Sequence, residues 1–291
     1  MNVLRRPALG ELALSGYRRE RLTDACFTVG PALMEGGFIG VIADKLFHVH
    51  PAVLALVTAA PMFGNLSSAF WARLAHGRRR VPFTTALMAA FSACVALVAL
   101  VPEAAVGAGL LVAALIAARL LLVGIVTARS IVWTLNYPRE GRGRVTARLH
   151  AISTLSTAGT ALLGSQLLDQ SPESFRIVYA VGACFAAAGA FAFSRVPLSG
   201  ESEHLSQERL RASSPAGIPS GLSILRDDRH YLQFLSWQMV LGIANMMIEA
   251  PLLYLVSREM GASYSAAIGI TMVIPFALSV LTIPFWAVYL D

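Results

Sequence analysis

Three charged residues stand alone in long apolar stretches: Glu35, Arg119 and Glu249. A charge at the centre of a bilayer costs about 2.5–3.5 kcal/mol even on lenient insertion scales, so such a residue faces a protein interior or a wet cavity and has a partner. The residue types set the possible chemistry. A carboxylate can take up and release a proton, and an arginine can hold an anionic group through two parallel hydrogen bonds or balance a nearby acid. Asn245 lies one turn before Glu249, at i, i+4, so an amide and a carboxylate share one helix face. Each group also has a structural alternative, a contact that fastens two helices together.

The elements that position these residues follow from composition. Hydrophobic residues make up 56% of the 291 and charged residues 14%, and the mean hydropathy is +0.64; a soluble domain carries about 25% charge. Runs free of charge cover 46–72, 81–102, 149–168, 177–194, 230–248 and 260–290. About 20 helical residues cross the hydrocarbon core. The pattern predicts an all-α membrane protein with eight transmembrane helices, at 25–46, 51–73, 81–101, 106–133, 146–168, 175–194, 231–256 and 264–290. It excludes a soluble enzyme. No HExxH, GxSxG or phosphate-binding loop is present, so neither an enzyme nor a cofactor is expected, and without an ATP-binding element the energy source is expected to be an ion gradient. The segment 195–230, dominated by Ser, Glu, Arg, Pro and Gly, is expected to be a flexible hydrophilic linker. Cys26, Cys94 and Cys184 fall in three separate apolar segments and are expected as buried packing residues.

The net charge of +6 does not point to nucleic acid, because the arginines cluster at the ends of apolar segments. With the N-terminus inside, the inner segments hold 18 of the 23 Lys and Arg residues. The positive-inside rule therefore places the N-terminus and the linker in the cytoplasm, with Trp71, Trp133, Tyr137, Trp286 and Tyr289 as an inner aromatic belt. Arg129, near the inner end of the fourth span, is expected to snorkel to headgroups.

The first two spans match the last two at an offset of 214–215. Glu35 matches Glu249, Pro61 matches Pro275, and Phe70-Trp71-Ala72 matches Phe285-Trp286-Ala287. A displacement of six spans gives two parallel copies related by an axis along the membrane normal. In this the chain resembles the major facilitator superfamily of secondary transporters. Further likenesses are the long linker after six spans, Arg119 followed by Gly124, and the basic loop Gly77-Arg78-Arg79-Arg80, with Gly64 as the upstream glycine. The superfamily loop usually reads Asp-Arg-x-Gly-Arg-Arg; here Leu74 stands in place of the acid, so the usual acidic partner of that loop is absent. The fifth span lacks the Gly-Pro-x-x-Gly-Gly signature of drug antiporters.

The resemblance implies an N-terminal six-helix half at 1–194, a cytoplasmic linker at 195–230 and the first two helices of a second half at 231–291, as in the N-terminal two-thirds of a twelve-helix member. It implies a secondary active transporter of a small solute in the plasma (bacterial inner) membrane, working by alternating access and coupled to protons. Spans one, four and seven line the central cavity in that family. Glu35 and Arg119 are thus expected to pair, with Glu249 facing them and Asn245 beside it as substrate and proton-coupling residues. Gly77, Arg78, Arg79, Arg80, Arg139, Arg142 and Arg144 are expected in cytoplasmic loops, as topology signals or in gating. The partners implied are a small solute, protons and the bilayer. A transporter-derived sensor or scaffold, or a truncated remnant, is the rival expectation.

Overall fold

The computed structural model describes residues 11–212 and 228–290, which form helices joined by short turns. The elements are α1 (Glu11–Phe27), α2 (Val29–Leu33), α3 (Gly36–Lys45), α4 (Pro51–Leu66), α5 (Ser68–Ala75), α6 (Arg80–Ala99), α7 (Ala105–Asn136), α8 (Arg139–Gln170), α9 (Phe175–Ser194), α10 (Glu201–Ala212), α11 (Arg229–Tyr254), α12 (Tyr264–Ile268) and α13 (Ile274–Leu290).

Eight helical segments lie where eight spans are expected, but fewer are long and apolar enough to cross a membrane. Six qualify: Ala13–Lys45, Arg80–Ala99, Val106–Asn136, Pro172–Ser194, Arg229–Glu259 and Tyr264–Thr282. A seventh is the pair α4–α5, bent by 42°. The bend falls at Ser67, whose hydroxyl donates to the Gly64 carbonyl at 2.6 Å. The expected fifth span, within α8, does not qualify, because hydroxyls dilute its hydrophobicity. Those hydroxyls are satisfied inside the helix: Thr154 donates to the His150 carbonyl at 2.8 Å and Thr160 to that of Ser156 at 2.7 Å. A polar helix so bonded exposes few free donors to its neighbours.

Other expectations are corrected. The first span begins well before residue 25, because α1 extends back through Glu20 and Asp24. The linker is not wholly irregular, since α10 forms within it; residues 213–227 lie outside those described. The loop carrying Arg139, Arg142 and Arg144 is the opening of α8, where Arg142 caps α7 by donating to the Thr134 and Tyr137 carbonyls at 3.1 Å. Arg139 and Arg144 are exposed. Cys184 is exposed on α9, not buried. The Trp71 ring lies against Gly124, and Trp133 and Tyr137 are engaged in a buried network, so none of these three is a free belt residue. The side chains of Trp286 and Tyr289, and of the matched 285–287, lie outside the described residues.

The core gathers around α2 and α3, the middle of the first span. Phe38, Ile39, Val41 and Ile42 are fully buried there. Phe38 meets Tyr179 edge-on at 6.4 Å between ring centroids.

Candidate functional site

The first span breaks where its charged residue sits. Met34 and Glu35 separate α2 from α3, and Glu35 is extended at φ −73°, ψ 142°. A break leaves carbonyls without helical donors, and each unsatisfied group in hydrocarbon costs several kcal/mol. Two other helices supply the donors. The Tyr179 hydroxyl of α9 donates to the Leu33 carbonyl at 2.7 Å, and Arg119 of α7 donates to the Met34 carbonyl at 2.6 Å. The same Arg119 nitrogen lies 3.1 Å from the Glu35 carboxylate. Its side chain is 7% exposed, against 34% for that of Glu35. Arg119 thus repairs the break and pairs with its acid at once. Gly64 of α4 makes room for it: a Cβ there would lie 3.1 Å from the Arg119 carbonyl oxygen.

Glu249 comes from α11 and meets the first span at its break. A Cβ on Gly36 would lie 2.5 Å from Glu249 Oε1, so that carboxylate lies against the Gly36 backbone, next to Glu35. Glu35 and Arg119 are the charged groups whose fields reach it. The structure therefore brings Glu35, Arg119 and Glu249 into one cluster. Asn245, one turn away, is exposed and outside it.

A second charged cluster ties α1 to α7, and the sequence-based expectation for Arg129 missed it. Arg129 lies 2.5 Å from Asp24 and 3.2 Å from Glu20. Glu20, with no exposed surface, also accepts from Trp133 Nε1 at 2.5 Å and from the Tyr137 hydroxyl at 2.8 Å. Arg129, its side chain 11% exposed, is held between these partners and does not snorkel.

The basic loop between α5 and α6 finds its acids in α10. Glu201 accepts from the Arg80 amide at 2.7 Å and pairs with Arg79 at 3.4 Å. Glu208 accepts from the Gly77 amide at 2.9 Å and from the Arg80 guanidinium, and His204 sits 3.2 Å away. Arg80 is buried and also donates to the Ala75 carbonyl, whereas Arg78 is exposed and stacks on Phe83. The acid missing at position 74 is supplied from 201 and 208.

The first six helical segments and the last two grip each other at the end of the bundle that carries Asp44. Asp44, 1% exposed, accepts from the Ser257 hydroxyl and pairs with Arg258 at 2.7 Å. Arg258 also donates to the Val49 carbonyl at 2.8 Å, and Asp169 accepts from the Tyr264 and Ser265 amides at 2.7 and 3.1 Å. A wide π-helical turn at Leu255–Glu259 carries Ser257 and Arg258, and a second at Gly269–Val273 sets Thr271 and Met272 against Gly37 near the break in the first span; such turns are common at functional sites.

The family model described as Major Facilitator Superfamily matches residues 25–291, which is 267 of the 291. The chain belongs to the major facilitator superfamily. It is an integral membrane protein of a transporter family, and the charged cluster at the break in the first span lies within the matched region. No curated protein matches the sequence.

Proposed function

We propose that this superfamily member is a secondary active transporter that moves a small solute across the plasma membrane (the inner membrane in a bacterium) by alternating access, coupled to protons. The observation that carries the proposal is the meeting of Glu35, Arg119 and Glu249 between the two parts of the chain. Two carboxylates and one guanidinium carry one net negative charge, which a proton neutralises. The arginine surplus at one end of the helices supports a cytoplasmic N-terminus. With that orientation the Asp44–Arg258 contacts close the outer end.

The test is solute-induced proton flux in proteoliposomes, read with a lumenal pH dye across a panel of organic cations, anions and sugars. Glu35→Gln is expected to abolish proton-coupled flux while leaving solute counterflow largely intact. Normal proton-coupled flux in Glu35→Gln would remove the proton role from this cluster.

A further inference from the structure

We propose that a lipid-facing groove between α6 and α9 binds one anionic phospholipid, with an acyl chain laid in the groove and the phosphate held by Arg195.

The groove follows from how the two helices pack. α9 turns Gly182 and Gly189 toward the first span, where a Cβ would lie 2.2 Å from Leu33 Cδ1 and 2.5 Å from the Phe27 amide nitrogen. Its opposite face, about half a turn away, carries Ala180, Cys184 and Ala187. On α6, Ala89, Ala93 and Ala96 form a matching stripe, while Leu87, Phe91 and Val98 are buried behind it. These small side chains leave a cavity of about 730 Å³, within the roughly 300–1,000 Å³ of small-ligand sites. The last three helices pack against α3, α4 and α8, away from this face.

The walls suit hydrocarbon. Ser92 donates to the Met88 carbonyl at 2.9 Å and Ser194 to that of Phe191 at 2.7 Å, so both hydroxyls turn back on their own helices. A gap beside apolar side chains forfeits dispersion contacts, and in a bilayer an acyl chain fills it. The groove runs from Thr85 to Leu100 on α6, about 22 Å of helix. Half of a hydrocarbon core is about 15 Å, so a chain from one leaflet fits lengthwise.

One end of the groove is polar. Arg195, exposed just after α9, holds its guanidinium 4.2 Å from the ring centroid of Phe191, which lines the groove. No carboxylate pairs with Arg195 among the described residues. A guanidinium stacked on a ring keeps its N–H edge for a phosphate, which it can hold through two parallel hydrogen bonds. Thr85 lines the same end, and its buried hydroxyl has no hydrogen-bond partner among the described residues. The ester carbonyls of a phospholipid, which lie between phosphate and chain, are acceptors for it. A zwitterionic lipid brings its own cation to the phosphate, so the charge favours an anionic headgroup. A second copy seated in the groove about a two-fold axis along the membrane normal would set two Arg195 side chains at one level, like charge against like. With the orientation proposed above, the lipid belongs to the inner leaflet, whose surface is negative.

Native mass spectrometry tests this on the purified protein in micelles holding dioleoylphosphatidylglycerol and dioleoylphosphatidylcholine at equal concentration. The two share their chains and differ in charge. The anionic lipid is expected to be retained at least tenfold over the other. Arg195→Gln should cut that preference below threefold, while Arg139→Gln, at an exposed arginine opening α8, should leave it unchanged. Ala93→Phe fills the groove and should lower retention of both lipids at least fivefold. No headgroup preference in the native protein, a preference untouched by Arg195→Gln, or full retention in a folded Ala93→Phe overturns the proposal. If Ala93→Phe fails to fold, the headgroup comparison with Arg195→Gln, a surface change, still decides. Lipid-free dimers that Ala93→Phe dissociates would show a second copy in the groove and overturn it as well. None of these readouts depends on transport, so their failure leaves the proposed function standing.

Discussion

Both carboxylate oxygens of Glu20 are occupied, one by the Tyr137 hydroxyl and the other by Trp133 and Arg129. Arg129 pairs with both Glu20 and Asp24, and its guanidinium also lies 5.0 Å from the Trp133 ring centroid. Breaking a buried pair by removing one partner costs about 3–5 kcal/mol, because the remaining charge stays buried. Arg129→Leu is therefore expected to destabilise the protein by that amount, read as a lower thermal midpoint in detergent. A loss under about 1 kcal/mol would mean that the cluster is solvated like a surface pair. The mid-membrane charges were legible in the sequence because each interrupts an apolar run. The Arg129 cluster was not, since Glu20 and Asp24 sit among Arg18, Arg19 and Arg21 and read as a solvated lead. The available signal was spacing: Glu20 and Asp24 are four apart, as are Arg129, Trp133 and Tyr137, so each set lines one helix face.

Among the elements, α10 departs furthest from its composition. Residues 195–230 hold no apolar period, and the helix forms where two acids seven residues apart face the same loop. Burial acts to raise the Glu208 pKa, but the Gly77 amide, Arg80, His204 and His76 outweigh it and hold the carboxyl below its ordinary 4.5. A lowered acid stabilises the folded contact fully above its ordinary pKa, and that contribution is lost as pH falls through the lowered value. Glu208→Gln at pH 7 is thus expected to speed amide hydrogen exchange across 201–212 at least tenfold. In the unaltered protein, acidification below about 4.5 should weaken the same docking. Exchange at 201–212 indifferent to both changes would show that α10 is held by something other than this charge. The number of spans was less legible than their order. Hydropathy placed all eight helical segments, but the break at Met34–Glu35 is invisible to it, because the donors that stabilise the break, Tyr179 and Arg119, arrive from far along the chain.

At the scale of the molecule, the contacts that bind the first six helical segments to the last two at the Asp44 end differ in strength. Asp169 accepts from two amides, and Lys45 lies over the Tyr264 ring at 5.3 Å; both are adjustable at little cost. Asp44 is different. It is buried, it takes the Ser257 hydroxyl and the Arg258 guanidinium together, and its partners stand on a π-helical turn. Opening this end must separate that carboxylate from both donors, so the contact biases the equilibrium toward closure. Asn in place of Asp44 keeps the size but removes the charge attraction to Arg258. Tenfold in population corresponds to about 1.4 kcal/mol, less than a buried charged contact supplies. Asp44→Asn is accordingly expected to raise the population open at this end at least tenfold. Spin labels at Ala104 and Met260 in a cysteine-free background report it as a longer inter-label distance. An unchanged distance distribution would show that the contact is a static fastening, and that opening, if it occurs, is governed elsewhere. The direction of the shift also bears on transport. Under the alternating access proposed above, a lock that holds one end closed is broken in each cycle, so the same substitution should speed counterflow where opening limits it, with Glu35, Arg119 and Glu249 left in place.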